Sequence, residues 1–323
     1  MTRLFLSLVL VFASIFLGYA FRVHAENRRG IPDSSLSAMR NRLQVAAFFV
    51  LLPISSMLSL WGLPSPEPRL MLLPFFGMGA WFLGGSLALC FAKLLKKSPD
   101  KAGSLFCCGT FSNIGAVGTL VCTVFLGEAA IALAAIYRLC EEIVFYGLAL
   151  PIARRFSLKA QSLSGGSGKK FHFSAVLPAI LAALLLGILL NLCDVSRPPV
   201  LAGLAAPLTL AATCLSLFAI GMGLRFSRLK GYGSDAFCIC LIKFLCVPAI
   251  LVPLAVLAGF GAIDAGLPLK VILILSCMPV AMNALVPPAL FSLDLHLANA
   301  CWIFSTLALC LVLPTIFAIM RLL

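Results

Sequence analysis

Two apolar segments, one in each half of the chain, decide its fold: Phe106–Leu120 reads FCCGTFSNIGAVGTL, and Ser276–Leu290 reads SCMPVAMNALVPPAL. The first has Asn113 at its centre and the second has Asn283. Each is flanked by enough apolar sequence to cross a bilayer, yet each carries glycines or prolines where a spanning helix should be continuous. Because hydrocarbon offers no hydrogen-bond partner, interrupted backbone is tolerated at membrane depth only inside protein or beside a cavity. Paired interruptions in two halves indicate the binding site of a membrane transporter.

The composition is that of an integral membrane protein. Of the 323 residues 62% are apolar and only 11% are charged, and the mean hydropathy is +1.11. Soluble domains carry about 25% charged residues, so the composition excludes a soluble globular protein. Stretches of roughly 20 apolar residues, the length that spans a bilayer, recur along the chain. We predict an all-α membrane protein with ten transmembrane helices, near residues 4–21, 43–62, 70–92, 104–125, 129–152, 173–192, 200–224, 236–259, 268–292 and 297–320.

The distribution of the basic residues predicts the topology. The net charge is +13, but the 24 Lys and Arg residues fall mostly in loops that ten spans would place on one side. The opposite side and the termini hold Arg3, Arg69, Arg197, Lys270 and Arg321. The positive-inside rule therefore predicts a multi-pass protein of the cytoplasmic (inner) membrane with both termini outside. The basic loops would contact membrane lipid headgroups, and we predict no nucleic acid partner.

The first apolar run has two readings. A single Arg3 before it and Gly18-Tyr19-Ala20 near its end resemble a signal peptide with a cleavage site. Arg22 and the basic residues after it, however, favour an uncleaved first span whose N-terminus is outside.

The chain divides at a basic, Ser/Gly-containing stretch, residues 154–172, which we predict to be a flexible cytoplasmic linker. Five predicted spans lie in 1–153 and five in 173–323. An odd number of spans in each half forces opposite orientations, so duplicated halves would be inverted repeats.

An ordered set of motifs resembles the auxin efflux carrier family of membrane transporters. They are LLPISSML in the second span, FSNIGAVGTL and VFLGEAAIALAAIY around the fourth, APLTLAATCLSLFAIGMGL in the seventh and SCMPVAMNALVPPALFSLDLHLANA around the ninth. The resemblance implies two inverted five-helix repeats with broken, crossing helices 4 and 9, a fold similar to sodium–proton antiporters and bile-acid symporters. It also implies carboxylate substrates such as malonate and malate. One departure is Leu120, where the family pattern Asn-x-Gly-x-x-Gly-x-Pro has proline.

Broken helices create new helix ends inside the membrane. Their N-terminal N–H groups carry partial positive charge, and such ends bind anions, including carboxylates. The asparagine amides can add hydrogen bonds to substrate or coupling ion. We predict a substrate site formed by Ser112, Asn113, Gly115, Gly118, Asn283, Pro287 and Pro288. The competing interpretation is that the glycines and prolines only kink the helices and that the asparagines hold neighbouring helices together.

Four charged residues lie within predicted spans: Arg138, Glu141 and Glu142 in the fifth and Lys243 in the eighth. Spacings of three and four place Arg138 on one helix face with both glutamates, so an ion pair is available. Our hypothesis is that Glu141 or Glu142 carries a coupling proton, tuned by Arg138 and Lys243. The alternative is a static salt bridge, with Lys243 extending to the cytoplasmic interface.

The function that these features predict is a secondary carrier for a small organic anion, with a proton or sodium as coupling ion. A sodium-coupled symporter on the same fold is the main alternative, and a membrane sensor or structural protein is a distant one. An intramembrane enzyme is disfavoured because all three histidines lie in predicted loops. The 13 cysteines fall almost entirely within spans without zinc-ligand spacing, so we predict no metal and no cofactor. A homodimer is a candidate oligomeric state.

Overall fold

The computed structural model describes residues 2–62, 68–164, 177–223 and 231–320, and within them the chain is helical without a strand. The α-helices of the described part are α1 (Thr2–Arg29), α2 (Asp33–Val45), α3 (Leu52–Trp61), α4 (Leu73–Leu94), α5 (Pro99–Thr110), α6 (Thr119–Leu126), α7 (Ala129–Tyr137), α8 (Glu141–Val144), α9 (Leu150–Ser164), α10 (Leu177–Leu192), α11 (Pro199–Ala202), α12 (Ala205–Gly223), α13 (Gly233–Leu241), α14 (Val247–Leu257), α15 (Leu267–Ser276), α16 (Val286–Leu290) and α17 (Leu295–Met320).

Short pieces with other helical geometry connect several of these helices. Turns of π-helix occur at Ala46–Leu51, Ile114–Gly118, Phe145–Ala149 and Ile242–Cys246. Turns of 3-10 helix occur at Pro68–Leu72, Phe260–Ala262, Asp264–Gly266 and Met282–Leu285. Single π-turns inside α-helices are rare and often lie at functional sites.

The predicted class, an all-helical integral membrane protein, agrees with the structure. Each of the ten apolar stretches contains helix among its described residues. Four helices of the described part are long and apolar enough to cross a membrane by themselves: Pro68–Leu94, Pro199–Gly223, Gly233–Leu257 and Leu295–Met320. Shorter apolar helices are Leu52–Trp61, Ile114–Leu126 and Ala182–Leu192. The count of ten spans and the inverted repeat stay predictions.

The chain forms two compact units, and each draws on both halves of the sequence. The first comprises the described parts of Met1–Met71, Gly115–Ile136 and Ala175–Arg225. In it α1 packs along α12 through small residues, because a Cβ at Gly18 would overlap the Phe218 carbonyl and one at Gly221 would overlap that of Ile15. Small residues at such contacts let membrane helices approach closely and pack.

The second unit comprises the described parts of Leu72–Ile114, Tyr137–Ser174 and Phe226–Leu323. Its helix α4 packs against α5 so closely that a Cβ at Gly84 would overlap the carbonyl of Gly109. Lys97 Nζ lies 2.6 Å from Asp235 Oδ1 and so connects the end of α4 to the start of α13. These contacts place α5, which ends at the first predicted break, against α4 in the interior of the unit.

The predicted linker differs in part from the structure. Helix α9 runs on to Ser164, so the beginning of the stretch 154–172 is helical. No glycine or proline follows Pro151 until Gly165, and nothing in that interval stops a helix. Residues 165–172 lie outside the described residues. The predicted halves 1–153 and 173–323 do not coincide with the two compact units, and the inverted repeat stays a prediction.

Candidate functional site

The first predicted break interrupts the helix at the expected place. Helix α5 ends at Thr110, and Phe111 turns to an extended conformation, with φ −88° and ψ 125°. Helix resumes with the π-turn Ile114–Gly118 and continues as α6. Ser112 and Asn113 therefore lie in non-helical backbone, and both side chains are buried.

The second break also falls within its predicted segment. Helix α15 ends at Ser276, and helical structure resumes with the 3-10 turn Met282–Leu285. Pro279 lies in the interruption, and Asn283 lies half-buried in the 3-10 turn. Pro287 and Pro288 are buried in the first turn of α16, where proline is compatible with a helix start. The interruption is therefore centred upstream of these two prolines.

The two interruptions pair with each other through their backbones. Ser112 and Val280 form an antiparallel β-bridge. The backbone N–H of Asn113 donates to the Pro279 carbonyl at 2.7 Å, and that of Ala281 donates to the Phe111 carbonyl at 3.1 Å. Buried peptide groups need partners, and each broken segment supplies them for the other. All of these residues belong to the second unit.

A serine of the last helix completes this pairing. The Ser305 hydroxyl of α17 accepts a hydrogen bond from the backbone N–H of Val280 at 3.1 Å, and it donates to the Trp302 carbonyl at 3.1 Å. The side chain of Ser305 is fully buried. Ser305 is absent from the predicted site, because a lone serine in an apolar helix carries no signal of its partner.

Lys243 lies beside the first break, in the π-turn Ile242–Cys246 that joins α13 to α14. Its side chain is only 1% exposed. Its Nζ donates to the Ser112 hydroxyl at 2.9 Å and to the Thr110 carbonyl at 3.3 Å. The alternative in which Lys243 extends to the interface is therefore wrong. The ammonium instead lies at the C-terminal end of α5, where the helix dipole is negative.

Arg138 and Glu141 form the ion pair that the sequence suggested, with Nε and Oε2 separated by 2.9 Å. The helical face assumed for it is wrong, however, because α7 ends at Tyr137 and α8 begins only at Glu141. The α4 backbone approaches this end closely, since a Cβ at Gly77 would overlap the Tyr137 carbonyl. The fifth apolar stretch is thus interrupted too. The turn at residues 138–140 contains no glycine or proline, so the sequence did not predict this interruption.

The structure brings together only part of the predicted site. Ser112, Asn113 and Lys243 converge with the second break inside the second unit. Gly115 and Gly118 belong to the first unit, because the chain passes from one unit to the other after Ile114. They are buried in the π-turn that follows the break. Glu142 is in α8, but its side chain lies outside the described residues.

No carboxylate of the described part forms a hydrogen bond or an ion pair with Lys243. Glu141 pairs with Arg138 instead. The partners of Lys243 among the described residues are the Thr110 carbonyl and the Ser112 hydroxyl. The described residues also contain no group of three or more His, Cys, Asp or Glu that could hold a metal ion. The chemistry available at the bridge is therefore that of one ammonium, a hydroxyl, amides and helix ends.

Two comparisons with known proteins bear on this arrangement. A profile of the family described as "Membrane transport protein" matches residues 68–317, which include both breaks, Lys243 and Ser305. The chain belongs to this family. An uncharacterized transporter of Methanothermobacter thermautotrophicus is 27% identical over 246 residues, which are 76% of this chain and 77% of the relative. The resemblance to auxin efflux carriers is confirmed, and the protein is a multi-pass membrane protein of a transporter family.

Proposed function

We propose that this transporter is a secondary carrier that moves a small organic anion, a carboxylate, across the cytoplasmic membrane by alternating access. The observation that carries the proposal is the bridge of Ser112 and Val280 between two interrupted helices, with the Lys243 ammonium beside it. A paired break of this kind places helix ends in a buried interior, where partial charges and one full positive charge favour an anion. Asn113 and Asn283 would supply amide hydrogen bonds to it.

The coupling ion is part of this proposal. The ion pair of half-buried Arg138 and buried Glu141 lies at the interruption between α7 and α8. Proton coupling would require this carboxylate to exchange its Arg138 partner for a proton during transport. Proton coupling through Glu141 or Glu142 is therefore the first arrangement to test. Sodium coupling is the alternative, and the counterflow experiment described next distinguishes the two coupling ions.

The test is counterflow in proteoliposomes that contain the purified full-length protein. Vesicles are preloaded with unlabelled malonate, malate or phenylacetate and mixed with trace labelled compound, in sodium buffer and in choline buffer. We expect accumulation of at least one labelled carboxylate above the level of empty vesicles. A requirement for sodium would favour the symporter, and a dependence on the pH gradient in choline would favour proton coupling.

Matched asparagine variants locate the site. We expect Asn113→Ala and Asn283→Ala each to lower the initial rate at least tenfold. Asn191→Ala is the control, because the Asn191 amide donates to the Trp61 carbonyl in the first unit, outside both breaks. Full transport by both Asn113→Ala and Asn283→Ala would refute the location, and absence of any carboxylate flux in the wild type would refute the substrate class.

A further inference from the structure

We infer that Lys243 is the residue that holds the carboxylate group of the transported anion, through an ammonium N–H that the described residues leave unused. The inference rests on the proposed function and deepens it, since it assigns the specificity for charge to one side chain. The site is the Lys243 ammonium beside the bridge of Ser112 and Val280, among buried residues of the second unit.

The hydrogen bonds of Lys243 are the first argument. A lysine ammonium has three N–H donors and no acceptor. One N–H is directed to the Ser112 hydroxyl and another to the Thr110 carbonyl. Among the residues that the structure describes, no third acceptor lies within hydrogen-bond distance. The remaining donor is available to an oxygen of a bound molecule.

The charge of Lys243 is the second argument. Both of its partners are neutral groups, and the negative end of the α5 dipole offsets only about half an elementary charge. Two partly buried cations in the described part of the second unit have carboxylate partners: Arg138 pairs with Glu141, and Lys97 pairs with Asp235. An unmatched charge at membrane depth is expensive, so such residues mark binding sites or pathways. A substrate carboxylate would complete this pair.

The local backbone is the third argument. Lys243 lies in a π-turn, which inserts an extra residue into the helix and changes the direction of its side chains. The lysine thereby reaches a broken helix that is 131 residues away in the sequence. The hydroxyl and carbonyl it contacts hold the Nζ in one position, so little of its rotational freedom is left to lose when an anion binds.

The competing explanation is purely structural: Lys243 would only close the C-terminal end of α5. The two roles differ in what they do to selectivity. A structural cap changes stability but not the preference between charged and neutral ligands, whereas an anion-binding lysine determines that preference.

The experiment measures binding of acid and amide pairs to the purified full-length protein by calorimetry. The probes are phenylacetate with phenylacetamide and malonate with malonamide, at pH 7 in choline buffer. We expect the wild type to bind at least one acid at least tenfold more tightly than its amide. Lys243→Gln should weaken binding of that acid at least tenfold and abolish the preference, and Lys243→Arg should retain part of it.

Lys270→Gln is the matched control, because Lys270 Nζ donates to an exposed carbonyl, that of Ala265, at 3.1 Å. It should bind both members of each pair as the wild type does. If Lys243→Gln binds the acid as tightly as the wild type, the inference is overturned while the carrier function stands. If the wild type binds or transports none of the acids, the proposed function fails and the inference fails with it. Equal affinity of the wild type for acid and amide overturns the inference without any variant, so the test does not depend on folding of Lys243→Gln.

Discussion

Replacing Ala281 by proline removes one hydrogen bond of the bridge and leaves the backbone conformation allowed. Ala281 has φ −78° and ψ 157°, and proline requires φ of about −65°. Its N–H donates to the Phe111 carbonyl at 3.1 Å, and the side chain is buried. The preceding Val280 lies in the bridge, which is the extended conformation that a residue before proline prefers. The substitution therefore keeps the backbone angles of Ala281 allowed and disrupts its contact with the Phe111 carbonyl.

The magnitude follows from what the proline leaves behind. A buried carbonyl without its donor costs about 1–3 kcal/mol. The proline restricts the unfolded chain, which offsets about 0.4–1 kcal/mol. The ring carbon also occupies the place of the hydrogen, where a carbon needs about 3.3 Å from oxygen, so the two segments must separate. We expect Ala281→Pro to lower the free energy of unfolding by about 1–3 kcal/mol. In domains of about 150–250 residues, each kcal/mol lowers the unfolding temperature by about 2–4 °C.

The assay is thermal unfolding in detergent together with counterflow in liposomes. Ala281→Ser is the control, since it changes the side chain by one atom and keeps the N–H. We expect Ala281→Pro to unfold at a lower temperature than Ala281→Ser and to transport more slowly. If the proline variant unfolds and transports as the serine variant does, the bridge contributes nothing to stability or function, and the reasoning from it is refuted.

Three further predictions concern the surroundings of the bridge. Gly109→Ala would place a Cβ in the backbone of α4 and should lower stability by about 1–3 kcal/mol in thermal unfolding, whereas Gly147→Ala, which meets nothing within 4 Å, should change it little. Ser305→Ala removes the acceptor of the Val280 N–H and should lower stability by about 1–3 kcal/mol, with Ser305→Thr retaining the hydroxyl; an unchanged unfolding temperature would contradict the role of Ser305 in the bridge. Glu141→Gln should abolish the dependence of carboxylate flux on the pH gradient, and flux measured over a range of external pH that matches the wild type would eliminate the proton role of this residue.

The position of both breaks could be predicted because the signals are local. Gly115 and Gly118 lie within five residues of Asn113, and Pro279 lies inside the second interruption. Glycine and proline weaken a helix locally, and their grouping around an asparagine in each half is visible in the sequence, although Pro253 and Pro314 stay inside helices. The interruption at Arg138 was missed for the same reason, since its turn contains neither type.

The partners of Lys243 and Ser305 could not be predicted. The separation of three residues correctly predicted the pair of Arg138 and Glu141, although a turn rather than a continuous helix brings them together. The two hypotheses for Lys243, that it tunes the glutamates or extends to the cytoplasmic interface, do not include its contact with Ser112. Neither periodicity nor composition relates residues that far apart in the chain.

The sequence alone determined the membrane class and the two interrupted helices, because hydropathy and the conformational limits of glycine and proline act on each segment independently. Only the tertiary structure decided that the interruptions hydrogen-bond to each other, that Ser305 completes their pairing and that the ammonium of Lys243 lies at the end of α5. The physical reason is that buried backbone and charge must be satisfied by whatever the fold brings within about 3 Å. In this protein those groups come from helices far apart in the chain.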